Sequence, residues 1–269
     1  MRPMDAKLRI ATFLAPNMLS VYEFIVGAIG RELDCDAELV VGTSFDQFGH
    51  GEFDVGFICG LPYVQLTRQT PSPVELLAAP VLRGDRYAGR PIYFSDVIVQ
   101  RDSPVRTFDD LRGRSWAYND PESHSGYNLT RHRLLTMGET RGFFGRVVEA
   151  GFHQRAIRMV AAGEVEAAAI DSQVLTIEFR DQPDLSEELR VITALGPSTI
   201  QPVVAARHLP ADLKAALRAT LLRIGDDPAA RAELAKGFVE RFVPVTDEDY
   251  DDIRGMLAAA EQAGFLTLA

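Results

Sequence analysis

The segment NDPESHSGYN, residues 119–128, sets an Asp-Pro turn, two serines flanking a histidine, and a glycine where a helix begins. Two chemistries suit such a start. Ser123 or Ser125 can cap the helix by accepting a hydrogen bond from a first-turn amide. Alternatively, Ser123, His124, Ser125 and Gly126 can receive an anion. The first amides of a helix have no partner within it, the helix dipole is positive there, and hydroxyls add donors. Gly126 lets backbone come close to a ligand. On these ten residues alone both readings stay open.

Other residues bear on the choice. His153, in EAGFHQRAI, stands where a strand ends and another helix begins. It is either a solvated or capping histidine or an imidazole donor to an oxyanion, with a pKa that allows it to become cationic. In PIYFSDVIV, alternation puts Tyr93 and Ser95 on one strand face, so Tyr93 is either a half-buried aromatic or a phenol reaching a ligand. Asp171 precedes Ser172 after the apolar run VEAAAI and reads equally as an N-cap or as a carboxyl facing a ligand. Ser44 and Phe45, in GTSFDQFGHGE, precede a further helix and are candidates to close over a ligand. There is no GxSxG, HExxH, Walker or dinucleotide-binding signature, and His50, His132 and His208 lack metal-ligand spacing. Ser125, His153 and Asp171 make a nominal Ser-His-Asp trio, but a chain of this length offers such a trio by chance. Neither a catalytic residue nor a cofactor or metal is expected.

The elements that must position these groups alternate in character, which predicts an α/β protein. Strands are expected at 8–14, 37–43, 53–59, 73–83, 91–100, 114–119, 146–151, 165–170, 189–195 and 202–207. Helices are expected at 18–33, 107–113, 126–138 and 153–164, with mostly helix from 210 onward. HGEFDVGFICG at 50–60 echoes AGEVEAAAIDS at 162–172, which suggests two lobes built on one strand–helix–strand plan. No flexible linker separates them, so strands near 85–96 and 193–203 are expected to cross between lobes. Residues 1–88 with 200–269 are expected in one lobe and 89–199 in the other. In such sheets ligands bind beyond the carboxyl ends of the strands.

With 269 residues, 46% hydrophobic and 25% charged, the chain has globular composition. No apolar run approaches the roughly 20 residues of a membrane helix. A net charge of −10 argues against nucleic acid or an anionic membrane as a broad-surface partner, though not against a small anion held by neutral donors. Cys35 and Cys59 imply no disulfide framework or zinc site, and Cys59 reads as a core residue. The start, MRPMDAKLRIATFLA, lacks the apolar run and cleavage site of a secretory leader, so either a cytoplasmic protein or a trimmed form is expected.

The stretch YFSDVIVQRDSPVRTFDDLRGRSWAYNDPESHSGYN, followed by VEAGFHQRAIRMVAAGEVEAAAIDS, resembles the phosphate/phosphite/phosphonate-binding proteins of ABC transporters. The resemblance is clear across about 90–175 and looser on either side. It implies a type II periplasmic-binding-protein-like fold: two α/β lobes, each a mainly parallel sheet flanked by helices, joined by two crossover strands. The oxyanion donors it implies are Tyr93, Ser123, Ser125 and His153, with amides at Ser125 and Gly126. His124 stands where the family has a threonine, and Phe45 falls at an aromatic lid position. Gln173 and a site near Gln201 are uncharged where aminophosphonate binders carry acids, and Asp171 departs from that subgroup. The function expected is therefore a substrate-binding protein holding a small oxyanion between its lobes, with an ABC permease as partner, no nucleic-acid partner and a monomeric state. A periplasmic or cell-surface location follows if a leader has been removed. The rivals are a cytoplasmic enzyme of the same fold, resembling those of the menaquinone pathway, and a cytoplasmic ligand sensor.

Overall fold

The computed structural model describes residues 7–268, so the first part of the N-terminal segment read above lies outside the described residues. The chain divides into two compact units. One runs up to Ile92 and resumes over Thr199–Tyr250; the other comprises Tyr93–Ser198 and the chain from Asp251 on.

In the first unit, strand β1 (Leu8–Thr12) leads to helix α1 (Leu19–Glu32), which buries Val21, Tyr22, Ile25, Val26 and Ile29. That three-and-four spacing makes one apolar stripe along the helix. Then come β2 (Ala37–Val41), α2 (Asp46–Gly49), β3 (Val55–Phe57), α3 (Gly60–Leu66) and β4 (Val74–Leu82). The second passage of chain supplies strand β10 (Val203–Ala206), helices α8 (Ala211–Arg223) and α9 (Pro228–Lys236), and strand β11 (Val239–Val243). The sheet order is β11-β4-β10-β3-β1-β2. β1 is parallel to β2 and β3, whereas β10 runs antiparallel to β3 and β4, and β11 antiparallel to β4.

The second unit begins with strand β5 (Ile92–Gln100), then β6 (Ser115–Tyr118), α4 (Leu129–Thr136), β7 (Arg146–Glu149) and α5 (His153–Ala161). β8 (Ala167–Asp171), α6 (Ser172–Asp181), α7 (Pro183–Glu188) and β9 (Leu189–Thr199) follow. The sheet order is β7-β6-β8-β5-β9. β6 is parallel to β7 and β8, and β5 is antiparallel to β8, with Ser95 opposite Asp171. The core beneath β6 is aromatic: Trp116 stacks on Phe144 at 4.6 Å between centroids, and Phe108 stacks on Phe143 at 5.7 Å.

The two echoing segments fall on β3 and β8, which hold matching places. Each lies between a parallel neighbour, β1 or β6, and an antiparallel one, β10 or β5. Several expectations need correction. The sheets are mixed rather than mainly parallel. The strands that follow each change of unit enter against the parallel run of β1–β3 or β6–β8. The chain from Asp251, helix α10 (Asp251–Gln262), belongs with the second unit instead of the first. Its tail explains this, because Phe265 and Leu268 enter the apolar cluster of Trp116 and Tyr127. Residues 239–243 form a strand inside the region expected to be mostly helical, and 107–113 contains only a short 3₁₀ turn at Asp109–Leu111. Cys35 and Cys59 are thiols, and Cys59 is half-buried at the start of α3 rather than in the core.

Candidate functional site

Strand β6 delivers the chain into the turn that opens the segment of interest. Asp120 shapes it, its Oδ1 accepting from the Glu122 amide at 2.7 Å and its carbonyl from the Ser123 amide at 3.0 Å. Ser123 is extended, and its Oγ accepts from the Gly126 amide at 3.1 Å. It is thus a true N-cap. The next residues, His124–Asn128, form one π turn before α4 begins, with the Asn128 amide donating to the Ser123 carbonyl at 3.1 Å. Such widened turns are rare in helices and recur at functional sites.

Ser125 has a different role. Its Oγ lies 3.1 Å from His153 Nε2, a partner 28 residues away at the first position of α5. Ser123 Oγ and Ser125 Oγ are 3.5 Å apart, at the long limit of a hydrogen bond. Gly126 is required here by space: a Cβ at this position would stand 1.9 Å from Asn119 Oδ1 and 3.2 Å from His153 Cε1. Two helix starts, after β6 and after β7, therefore meet around one glycine. Asn119 Oδ1 and His153 Nδ1 are buried with no hydrogen-bond partner among the described residues. Buried polar atoms of that kind are uncommon and call for a reason.

His153 is 6% exposed, and burial pushes its imidazole down to about 3. It is neutral at pH 7, contrary to the cationic role allowed from sequence, because desolvation disfavours the charged ring. Tyr93 is fully buried on β5, its ring centroid 6.2 Å from that of His124. Ser95, on the same strand face, is also fully buried, and its hydroxyl has no hydrogen-bond partner among the described residues.

Asp171 is an N-cap. Its Oδ1 accepts from the amides of Gln173 at 2.8 Å and Val174 at 3.3 Å, satisfying the first turn of α6. The carboxylate is thereby engaged through Oδ1 at the helix start, as the capping reading expects. Ser172 Oγ accepts from the Phe94 amide at 3.2 Å and ties β5 to α6.

His124 differs most from expectation. Both ring nitrogens are engaged within the unit, Nε2 with Ser198 Oγ at 2.7 Å and Nδ1 with Asn128 Nδ2 at 3.0 Å. Its ring is fully buried and does not join the Ser123, Ser125 and His153 group as a further donor. Sequence reasoning missed Asn119, Asn128, Ser198 and Asp252. Asn119 and Asn128 bound the quoted segment, and their place at its ends was a usable signal. Nothing local marked Ser198 or Asp252. Ser44 and Phe45 lie in the first unit, where Ser44 Oγ accepts from the Asp46 amide at 3.2 Å and Phe45 stacks on Phe13 at 4.3 Å.

Chemically, this arrangement supplies neutral donors: two hydroxyls, that of Ser125 backed by the His153 imidazole, and amides of a helix start. A Ser-His-Asp relay is not assembled, because Asp171 caps α6 and His153 Nδ1 meets no carboxylate among the described residues.

The sequence matches the family model described as ABC transporter, phosphonate, periplasmic substrate-binding protein over residues 10–250. Over 153 residues it is 26% identical to the phosphonates-binding periplasmic protein of Escherichia coli (strain K12), a match covering 55% of this chain and 45% of that protein. The match thus spans about half the length of that curated relative. A binding protein component of an ABC phosphonate transporter from Pseudomonas aeruginosa has a TM-score of 0.85 at 17% identity, covering 97% of this chain and 88% of its own. PhnD1 from Prochlorococcus marinus (MIT 9301), solved in complex with methylphosphonate, gives 0.79 at 16% identity, covering 96% and 98%. The periplasmic aliphatic sulphonate binding protein SsuA from Escherichia coli gives 0.65 at 16%, covering 97% and 88%. The fold is that of the type II periplasmic binding proteins.

Proposed function

Because this chain belongs to the family of periplasmic substrate-binding proteins of phosphonate ABC transporters, we propose that it binds a small oxyanion of the phosphonate, phosphite or phosphate type and presents it to an ABC permease. The observation that carries the reading is the pairing of Ser125 Oγ with His153 Nε2 at 3.1 Å, beside the Ser123-capped turn and Gly126. A neutral His153 that donates through Nε2 to Ser125 Oγ leaves the serine proton to point at an anion. Ser123 Oγ accepts from Gly126 and in the same way keeps its own proton to donate. Neutral donors in a desolvated site hold an anion without an ion pair, since each bond to a charged acceptor is stronger than a neutral one. Tyr93 is included as a further donor from β5.

The ligand assignment follows the chemistry of relatives, one of which was solved with methylphosphonate. The family resemblance sets Gln173 and a site near Gln201, both uncharged, where aminophosphonate binders carry acids, which supports simple alkyl phosphonates over aminoalkyl ones. The reading places the protein in the periplasm as a monomer and involves no covalent chemistry. It is tested by thermal shift and titration calorimetry with methylphosphonate, phosphite, phosphate, ethanesulfonate and 2-aminoethylphosphonate. Methylphosphonate or phosphite is expected to raise the melting temperature and to bind one to one. No shift with any of these anions at millimolar concentration would overturn the assignment.

A further inference from the structure

A chain of side chains, buried from Arg131 to Ser198 and half-buried at Asp252, runs from the turn that carries the two serines. Arg131 Nη2 lies 2.6 Å from Asn128 Oδ1, Asn128 Nδ2 lies 3.0 Å from His124 Nδ1, His124 Nε2 lies 2.7 Å from Ser198 Oγ, and Ser198 Oγ lies 2.5 Å from Asp252 Oδ2. The two ends dictate every direction between them. Arginine only donates, so the Asn128 oxygen must face it and the amide nitrogen must face His124. His124 Nδ1 therefore accepts, which puts the ring proton on Nε2, and that proton goes to Ser198. Ser198 in turn gives its own proton to Asp252, a carboxylate that only accepts. All four bonds point from the guanidinium to the carboxylate, an order in which each bond polarises the next. Arg131 is itself anchored through Nη1 to the Leu266 carbonyl at 3.1 Å, with its guanidinium over the Tyr127 ring.

We propose that this chain is the positioning device of the anion site, with His124 as a strut that aims Ser123 and Ser125 without touching the ligand. The proposal rests on the oxyanion reading above. It answers a local need: the serines stand at the entry of a π turn, a rare irregularity in helices that is frequent at functional sites. His124 sits between the two serines, so fixing its ring fixes the backbone from which both hydroxyls project. The far anchors come from distant sequence. Ser198 is the last residue of β9 within the second unit, and Asp252 is the second residue after the chain re-enters that unit at Asp251. Asn128 and Arg131 anchor the other side of the ring to the start of α4. His124, Asn128, Ser198, Asp252 and Arg131 are therefore positioning residues.

The test compares Asp252→Ala with Asp252→Asn. Both remove the charge, but only the asparagine keeps an acceptor for Ser198. Binding of methylphosphonate is read by calorimetry, and the Ser125 and Gly126 amides by ¹⁵N spectra without ligand. Asp252→Ala is expected to weaken binding about tenfold, the equivalent of one neutral hydrogen bond, and to shift both amides. Asp252→Asn should stay within twofold of wild type with both amides in place. Ser198→Ala serves as the second break should Asp252→Ala not fold, and is expected to match it. In wild type the His124 ring should show a protonated Nε2 and a bare Nδ1 from pH 8 to 5. Wild-type affinity and unmoved amides in both alanine variants would overturn the proposal, as would a proton on Nδ1. If wild type takes no methylphosphonate, the oxyanion reading falls alone, because the ring tautomer and the amide shifts decide the relay without ligand.

Discussion

Replacing Ser125 with alanine separates an anion site from a helix cap. The cap belongs to Ser123, whose Oγ holds the Gly126 amide, whereas Ser125 Oγ faces His153 Nε2 at 3.1 Å. A hydrogen bond to a charged ligand contributes about 1.5–3 kcal/mol. Since about 1.4 kcal/mol is tenfold, Ser125→Ala should weaken methylphosphonate binding by roughly ten- to a hundredfold. The apo protein loses a different interaction. His153 Nδ1 already has no partner among the described residues, so the variant leaves the ring bare at both nitrogens. That costs about 1–3 kcal/mol of stability for one unsatisfied buried group. Calorimetric titration gives the first quantity and a denaturant melt without ligand the second. An affinity within threefold of wild type, alongside an undiminished melt, would refute both the ligand role of Ser125 and the importance of its pairing with His153.

Ser123→Asp should leave stability within about 0.5 kcal/mol, because aspartate caps as well as serine, yet abolish oxyanion binding by placing a carboxylate in the site; retained binding by calorimetry would count against Ser123 as a ligand donor. Burial pushes His124 down to about 4, against the pull of the Asp252 carboxylate and with added repulsion from His132 and Arg131, and pushes His153 down to about 3. Both rings are thus neutral in the fold, while in the unfolded chain they take up protons below about pH 6.5. Stability should be full above that value and fall as pH drops toward 4, at about 1.4 kcal/mol per pH unit for each ring; denaturant melts at pH 7, 6, 5 and 4 that show no loss would contradict this. Phe265→Ala should destabilise by about 3–5 kcal/mol, as for a buried aromatic in a packed core, and should lower methylphosphonate affinity as well, because the same tail supplies the Leu266 carbonyl to Arg131 and Tyr127; a melt unchanged within 1 kcal/mol would show that the tail is not part of the core.

Local sequence decides local things in this chain. Apolar runs became strands where side chains are buried on both faces, as in β3, β4 and β8, and the stripe along residues 19–32 became α1. Burial of the side chain does not require knowing the partner, so such elements are legible. The Ser-His-Ser-Gly helix start was legible for the same reason, since unpaired amides and capping hydroxyls are properties of a few adjacent residues. Strand β11 was not, because VERFV between two helical patterns has too few buried positions to outweigh them.

The choice of partner is what sequence left open. The apolar face of α10, Ile253, Leu257 and Ala260, is plain in the periodicity, but an apolar stripe fits any complementary surface. The tertiary contacts assign that segment to the second unit: Phe265 and Leu268 pack beside Trp116, and the Leu266 carbonyl accepts from Arg131 and Tyr127. That Asp171 caps α6 is decided by the direction of the chain leaving β8, which brings the Gln173 and Val174 amides to one of its oxygens. From sequence, His124 is grouped with Ser123, Ser125 and Gly126 as a residue that can receive an anion. Its ring instead points to Ser198, 74 residues away, and onward to Asp252, a further 54 residues along. Hydrogen-bond direction in a buried chain is set by its two ends, and those ends are neighbours only once the tertiary fold has brought β9 and α10 to the turn.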